Sequence, residues 1–199
     1  MTHLSVLLFH NFETLDVFGP VEIFGRLKDL YRVSFYSLEG GLITNDHNVT
    51  IDTLPLEDIE FGTDIVLIPG GYGTRQEVDH EELISQLKSI CEKSNYVHTV
   101  CTGTALLART GLLNGLKATS NKKAFTWVMS QGPEVLWQPK ARWVVDGKYY
   151  TSSGVSAGMD MALGFLSEIH GVDFARQVAY TIEYRWNEDK DQDDFWIQE

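Results

Sequence analysis

Three places along the chain put reactive or ligand-binding residue types at spacings that chemistry uses. Thr99-Val100-Cys101-Thr102-Gly103 has the form small-x-nucleophile-x-small, where an apolar run meets a helical one. That is the sequence form of a nucleophile elbow, a sharp strand-to-helix turn that lifts the reactive side chain above the sheet edge; small neighbours keep the turn from clashing. A thiol at a helix N-terminus also gains from the unpaired N–H groups and the helix dipole, which favour its thiolate. The competing reading of Cys101 is a buried structural cysteine, the role expected of Cys91 on its apolar helical face. Gly70-Gly71-Tyr72-Gly73 follows a buried run; glycines there let backbone N–H groups approach an anion or oxyanion, though a simple tight turn fits as well. It lacks the spacing of a dinucleotide fingerprint and the Lys-Ser/Thr of a phosphate loop. Asp16, between Leu15 and Val17, falls at the carboxyl end of the first apolar run, where open α/β sheets place their ligand crevice. Buried beside a thiol, such a carboxyl has a raised pKa and can donate a proton; alone, it reads as a helix cap.

These residues need a frame, and the hydropathy pattern supplies one. Short apolar runs alternate with longer amphipathic stretches, which predicts an α/β fold of parallel strands covered by helices. Leu4–Phe9, Tyr31–Leu38, Asp64–Pro69 and Tyr96–Val100 read as strands, with a small β excursion from Glu39-Gly40-Gly41 through Ile51. A helix carries Val17, Val21 and Phe24 on one face. Pro20 belongs in its first turn or at a kink, which places Asp16 at or just before its start. Glu81–Lys93, Ala105–Arg109, Lys122–Gln131, Ser156–His170 and Val172–Arg185 read as helices. Gly111 ends the second of these in a left-handed conformation. Arg142–Ser152 reads as a hairpin turned at Asp146-Gly147, and Asn187–Asp194 as a charged, exposed tail.

Composition narrows the function classes. The 199 residues are 43% hydrophobic and 22% charged, near globular averages, with no repeat or composition break, so a single domain over 1–199 is expected. A net charge of −12 without a basic stripe argues against nucleic acid and anionic membranes as partners. The six-residue apolar run at Leu4–Phe9 has neither a basic segment before it nor a cleavage signature. No uncharged stretch approaches the roughly 20 residues of a membrane span, so a soluble, cytoplasmic protein is expected. There the two cysteines are reduced thiols. No two histidines sit at metal-binding spacing, none lies immediately after Cys101 and the later His170 is not part of a His-x-Glu pair, so neither a metal centre nor a Cys-His dyad is expected.

Taken together, Thr14-Leu15-Asp16-Val17-Phe18-Gly19-Pro20, Ile68-Pro69-Gly70-Gly71, Val100-Cys101-Thr102-Gly103 and the stretch from Ser153-Gly154-Val155-Ser156 to Leu163 resemble the ThiJ/PfpI superfamily in order and spacing. The Leu-Asp-x-x-Gly-Pro start and the Cys-Thr-Gly elbow resemble its isonitrile hydratase branch. The protease-like branch instead carries His after the cysteine and Glu at the Asp16 position. The resemblance implies a flavodoxin-like three-layer sandwich, a homodimer, and no cofactor. It implies Cys101 as nucleophile, Asp16 as its carboxylate partner and Thr102 beside it, with Gly70, Gly71, Thr102 and Gly154 as oxyanion or substrate-binding residues. Phe18, Tyr72 and Trp127 are the expected pocket walls. The activity implied is hydration of an isonitrile to an N-substituted formamide, with glyoxalase-like chemistry or thiol redox sensing as alternatives. Transcription-factor relatives append a helix-turn-helix domain, which is not expected here. One departure stands out: hydratase-like members tend to have a histidine after the elbow helix, where this chain reads Ala118-Thr119-Ser120-Asn121-Lys122. An amide at Asn121 cannot shuttle a proton at neutral pH.

Overall fold

The computed structural model describes residues 1–59 and 63–196. Its centre is an eight-stranded sheet in the order β3-β4-β2-β1-β5-β6-β10-β9. The strands are β1 (Thr2–Leu7), β2 (Tyr31–Ser37), β3 (Glu39–Thr44), β4 (Thr50–Pro55), β5 (Ile65–Ile68), β6 (Tyr96–Thr99), β9 (Trp143–Asp146) and β10 (Tyr149–Ser152). The six inner strands run parallel, and β3 and β9 close the two edges antiparallel. A separate two-stranded pair joins β7 (Lys117–Ala118) to β8 (Leu136–Trp137). Every residue of β5 is buried, as are Leu4 to Leu7 of β1. Strands covered on both faces show that pattern, a continuous apolar run instead of an alternating one.

Helices cover both faces, as the fold class α/β predicts. On one side α1 (Thr14–Gly25) packs against α6 (Ala157–His170), which in turn holds α7 (Val172–Thr181). On the other, α4 (Gly103–Arg109) touches α2 (Thr74–Glu77), α3 (Glu81–Lys93) and α5 (Phe125–Gln131). Leu83, Leu87 and Cys91 form the buried stripe of α3 at a spacing of four. Burial pushes the Cys91 thiol up to about 12, so this cysteine is an inert packing group. Gly111 takes the expected left-handed conformation, with φ of 80°. No helix of the described residues is long and apolar enough to cross a membrane.

Two expectations change. Pro20 lies in the middle of α1 instead of its first turn, while Asp16 is in that first turn. Proline has no N–H, so the Asp16 carbonyl four residues earlier lacks its helical partner; burial of Val17, Pro20, Ile23 and Phe24 holds the helix regardless. The segment after α7 is the second. The helix stops at Thr181, four residues short of Arg185, and the chain then lies along β9 as a strap. The amides of Arg142 and Trp143 donate to the Lys190 carbonyl, and Asp193 N–H donates to Lys140 O. Asp193 is buried, not exposed. Arg142 explains this: its guanidinium meets Asp160 at 2.6 Å and Asp193 at 3.5 Å, and Tyr184, Trp186 and Asn187 all bond to Asp160.

Candidate active site

The carboxyl ends of four neighbouring strands, β1, β5, β6 and β10, meet at one place and deliver one segment each. The chain leaving β6 turns at Cys101, whose φ of 56° is left-handed. A cysteine in that conformation is strained, and strain of this kind persists where surrounding bonds fix it. Here Cys101 N–H donates to Ser153 O at 3.2 Å, the Ser120 hydroxyl donates to the Cys101 carbonyl at 2.6 Å, and Gly103 N–H closes the turn on Val100 O. The elbow read in the sequence is therefore present in the backbone, and Cys101 is 6% exposed.

Asp16 reaches the same point from α1 and is completely buried. Its Oδ2 accepts the Gly70 N–H at 2.9 Å, and its Oδ1 takes no hydrogen bond from nitrogen or oxygen. The group that the carboxyl faces besides Gly70 is the Cys101 thiol. A Cβ at residue 70 would come within 2.6 Å of Thr102 N and 2.9 Å of Asp16 Oδ2, so only glycine lets the three segments converge. Burial raises the Asp16 pKa well above the usual carboxylate range, with the Gly70 N–H drawing it back and the Glu13 charge adding to the rise. Burial also raises Cys101, followed by the Asp16 charge, against pulls from Thr102 N–H and the Asn121 side chain. Desolvation thus outweighs the local donors that favour a thiolate, and both groups are shifted toward their protonated forms.

Thr102 and the glycine loop form a small hydroxyl network. Gly71 N–H donates to Thr102 Oγ1 at 3.0 Å, and Thr74 Oγ1 donates to Thr102 Oγ1 at 3.1 Å. The Gly71 donor is thereby engaged by a hydroxyl, while the Thr102 N–H faces Cys101 Sγ. Gly154 lies against the thiol: a Cβ there would collide with the Asn121 amide and stand 3.2 Å from Cys101 Sγ. Asn121 is fixed by its Oδ1, which accepts the Ala124 N–H at 3.0 Å, leaving its amide N–H to face sulfur. It is a hydrogen-bond donor where a histidine would also titrate.

The thiol opens into a cleft of about 810 Å³ whose walls include Glu13, Tyr72, Arg75, Asn121, Lys123 and Trp127. Tyr72 and Trp127 line it as expected. Phe18 does not; it is 38% exposed and absent from the walls. Residues two apart on a helix point to different sides, so Asp16 facing Cys101 turns Phe18 away. Arg75 and Lys123 went unnoticed in the sequence, where single surface cations carry no signal. A second cavity of about 510 Å³, beside β9 and Lys190, is lined by no cysteine, serine or threonine. Among the described residues no three His, Cys, Asp or Glu side chains converge as a metal site would require.

This geometry can be set beside known proteins. An isonitrile hydratase from Pseudomonas putida is 30% identical over 182 residues, which is 91% of this chain and 78% of that protein. The HTH-type transcriptional regulator GbdR of Pseudomonas aeruginosa is 27% identical over 188 residues; the match takes in 91% of this chain and 50% of the regulator. The crystal structure of a ThiJ/PfpI family protein from Pseudomonas syringae has a TM-score of 0.84 at 25% identity, covering 94% of this chain and 76% of that one. Enzymes and regulators thus share the fold. Since the DJ-1/PfpI family profile matches residues 3–168, including the elbow, the Asp16 segment and the glycine loop, the chain belongs to the DJ-1/PfpI family.

Proposed function

We propose that the protein is a cofactor-independent hydratase that converts isonitriles to N-substituted formamides through a thioimidate on Cys101. The observation that carries this reading is the strained, cleft-facing Cys101 thiol beside a buried Asp16 carboxyl whose pKa is raised. An isonitrile carbon is both electrophile and base, so it needs a sulfur nucleophile and a proton together. Cys101 Sγ bonds to that carbon while the carbon takes the proton held by the Cys101–Asp16 pair, giving R–N=CH–S–Cys101. Water then adds to the same carbon and gives one proton to nitrogen and one back to the pair. The C–S bond breaks with release of R–NH–CHO, and isonitrile plus water equals formamide. The Thr102 N–H and the Asn121 amide, which already face sulfur, stabilise it as it departs. The similarity to an isonitrile hydratase supports the substrate class; the proposal includes a homodimer, which the family resemblance implies, and a cytoplasmic location, which the sequence leads one to expect.

The test is formamide production from a simple aryl isonitrile by the purified protein. Cys101→Ala is expected to abolish it, and Asp16→Asn to lower kcat at least about 100-fold, the usual scale of general-acid catalysis. Full activity in either variant contradicts the scheme. If the unmodified protein makes no formamide but consumes an α-oxoaldehyde in a Cys101-dependent way, the same pair works through a hemithioacetal. Redox sensing is told apart by mass spectrometry after mild peroxide: selective conversion of Cys101 to its sulfinate with no turnover favours it.

A further inference from the structure

The cleft is charged against the trend of the molecule. The chain carries −12, yet the cleft walls hold two cations, Arg75 and Lys123, and one carboxylate, Glu13. The Glu13 charge bears on Asp16 and Cys101, while neither cation figures among the charges acting on that pair.

Arg75 is held but not neutralised. Its guanidinium lies 4.1 Å from the Trp127 ring centroid and 5.8 Å from that of Tyr72, and Nη1 donates to Thr74 Oγ1 at 3.1 Å. Aromatic clamping of this kind fixes the plane of an arginine fork. Arg26, Arg109, Arg142 and Arg176 each pair with a carboxylate; among the described residues Arg75 has none. Its Nε–H and Nη2 hydrogens make no hydrogen bond with described residues, and carboxylates are the partner that such a fork fits. Lys123 adds a second charge. Its neighbour Lys122 is turned inward, donating to Thr119 Oγ1 and Ala141 O, so of the two adjacent lysines only Lys123 lines the cleft.

The Arg75 guanidinium also lies close to the elbow. Arg75 Nη1 approaches Gly71 O at 3.5 Å, and Thr102 Oγ1 approaches the same oxygen at 3.3 Å. Arg75 Nη1 and Thr102 Oγ1 are therefore separated by no more than those two contacts combined. We propose that the site selects small substrates bearing a carboxylate, with Arg75 and Lys123 holding the carboxylate while Cys101 reaches the reacting carbon. For its reaction this rests on the hydratase reading, giving small isocyano carboxylates as the substrate class; for its ligand chemistry it does not.

The first test accordingly needs no turnover. Iodoacetate and iodoacetamide both alkylate a cysteine by forming an S–C bond as iodide leaves, and they differ by one negative charge. The iodoacetate-to-iodoacetamide rate ratio at Cys101, read by peptide mass spectrometry, is expected to fall about tenfold in the Arg75→Gln/Lys123→Gln double variant. Arg75→Lys, which keeps the charge, is expected to retain most of the ratio. A ratio unchanged in the double variant overturns the proposal. If Cys101 resists both reagents, tryptophan fluorescence titrated with propionate against propionamide replaces them, with Trp127→Phe assigning the signal. Equal responses to the two, or none, again overturn it. Turnover of isocyanoacetate against its methyl ester follows: failure of both refutes the hydratase reading alone, and turnover of both with equal kcat/KM refutes the carboxylate proposal alone.

Discussion

Replacing His98 by leucine is expected to stabilise the protein and to remove part of its acid sensitivity. His98 sits in the centre of β6 with no exposure, ring centroids 4.7 Å from Phe165 and 5.0 Å from Tyr150, and neither ring nitrogen has a hydrogen-bond partner. Burial lowers its pKa from 6.5 to about 3. Above 6.5 the ring is neutral whether the chain is folded or not, and pH has no leverage through it. Below 6.5 the unfolded chain binds a proton that the folded one refuses, so stability falls with pH until the folded ring titrates near 3. Each unit is worth about 1.4 kcal/mol, so by about pH 5 the loss approaches 2 kcal/mol. Urea unfolding of the parent and His98→Leu, at about pH 8 and about pH 5 and one protein concentration, isolates this group because shared titrations cancel. Leucine removes the unpartnered nitrogens, which cost roughly 1–3 kcal/mol, so the variant is more stable even at the higher pH. Its advantage is expected to widen by about 2 kcal/mol at the lower one. Parallel pH dependences would refute the reasoning, since they would mean that His98 finds a proton partner or water in the folded core.

Two further substitutions probe how the frame serves the site. Asp160→Ala leaves the nearly buried Arg142 with only the more distant Asp193 and frees Tyr184 and Asn187, and is expected to cost about 3 kcal/mol in urea unfolding. A loss under about 0.5 kcal/mol would show that the strap is not fastened there. Gly70→Ala drives a methyl between Thr102 N and Asp16 Oδ2, and is expected to lower kcat while near-native far-ultraviolet dichroism is kept; unchanged kcat would show that these segments yield freely.

Much of the frame was legible because it rests on local pattern. Continuous apolar runs announced β1 and β5, the four-residue stripe announced α3, and Gly111 announced the end of α4. The elbow was legible for the same reason, since a left-handed cysteine needs small neighbours close by in sequence. What was not legible depends on partners distant in the chain. Asp193 reads as a solvated tail charge until Arg142, brought in by β9, stands against it. Pro20 reads as a helix breaker until the packing of Val17 and Phe24 is counted. The upward shift of the Cys101 thiol follows from how deeply it is buried, which no spacing of residues expresses.

The strand order has one more consequence. Because β1, β5, β6 and β10 lie side by side and each ends in its own loop, the site is assembled like a row of separately mounted panels. Cys101 is anchored through its own backbone, its N–H to the Ser153 carbonyl and its carbonyl to the Ser120 hydroxyl, so exchanging side chains on the facing loops other than Ser120 leaves both bonds in place. A lineage can thus retire the chemistry and keep the cavity, or change the guest and keep the chemistry, by editing one loop at a time. A hydratase and transcriptional regulators among the relatives of a single scaffold are what such a construction permits.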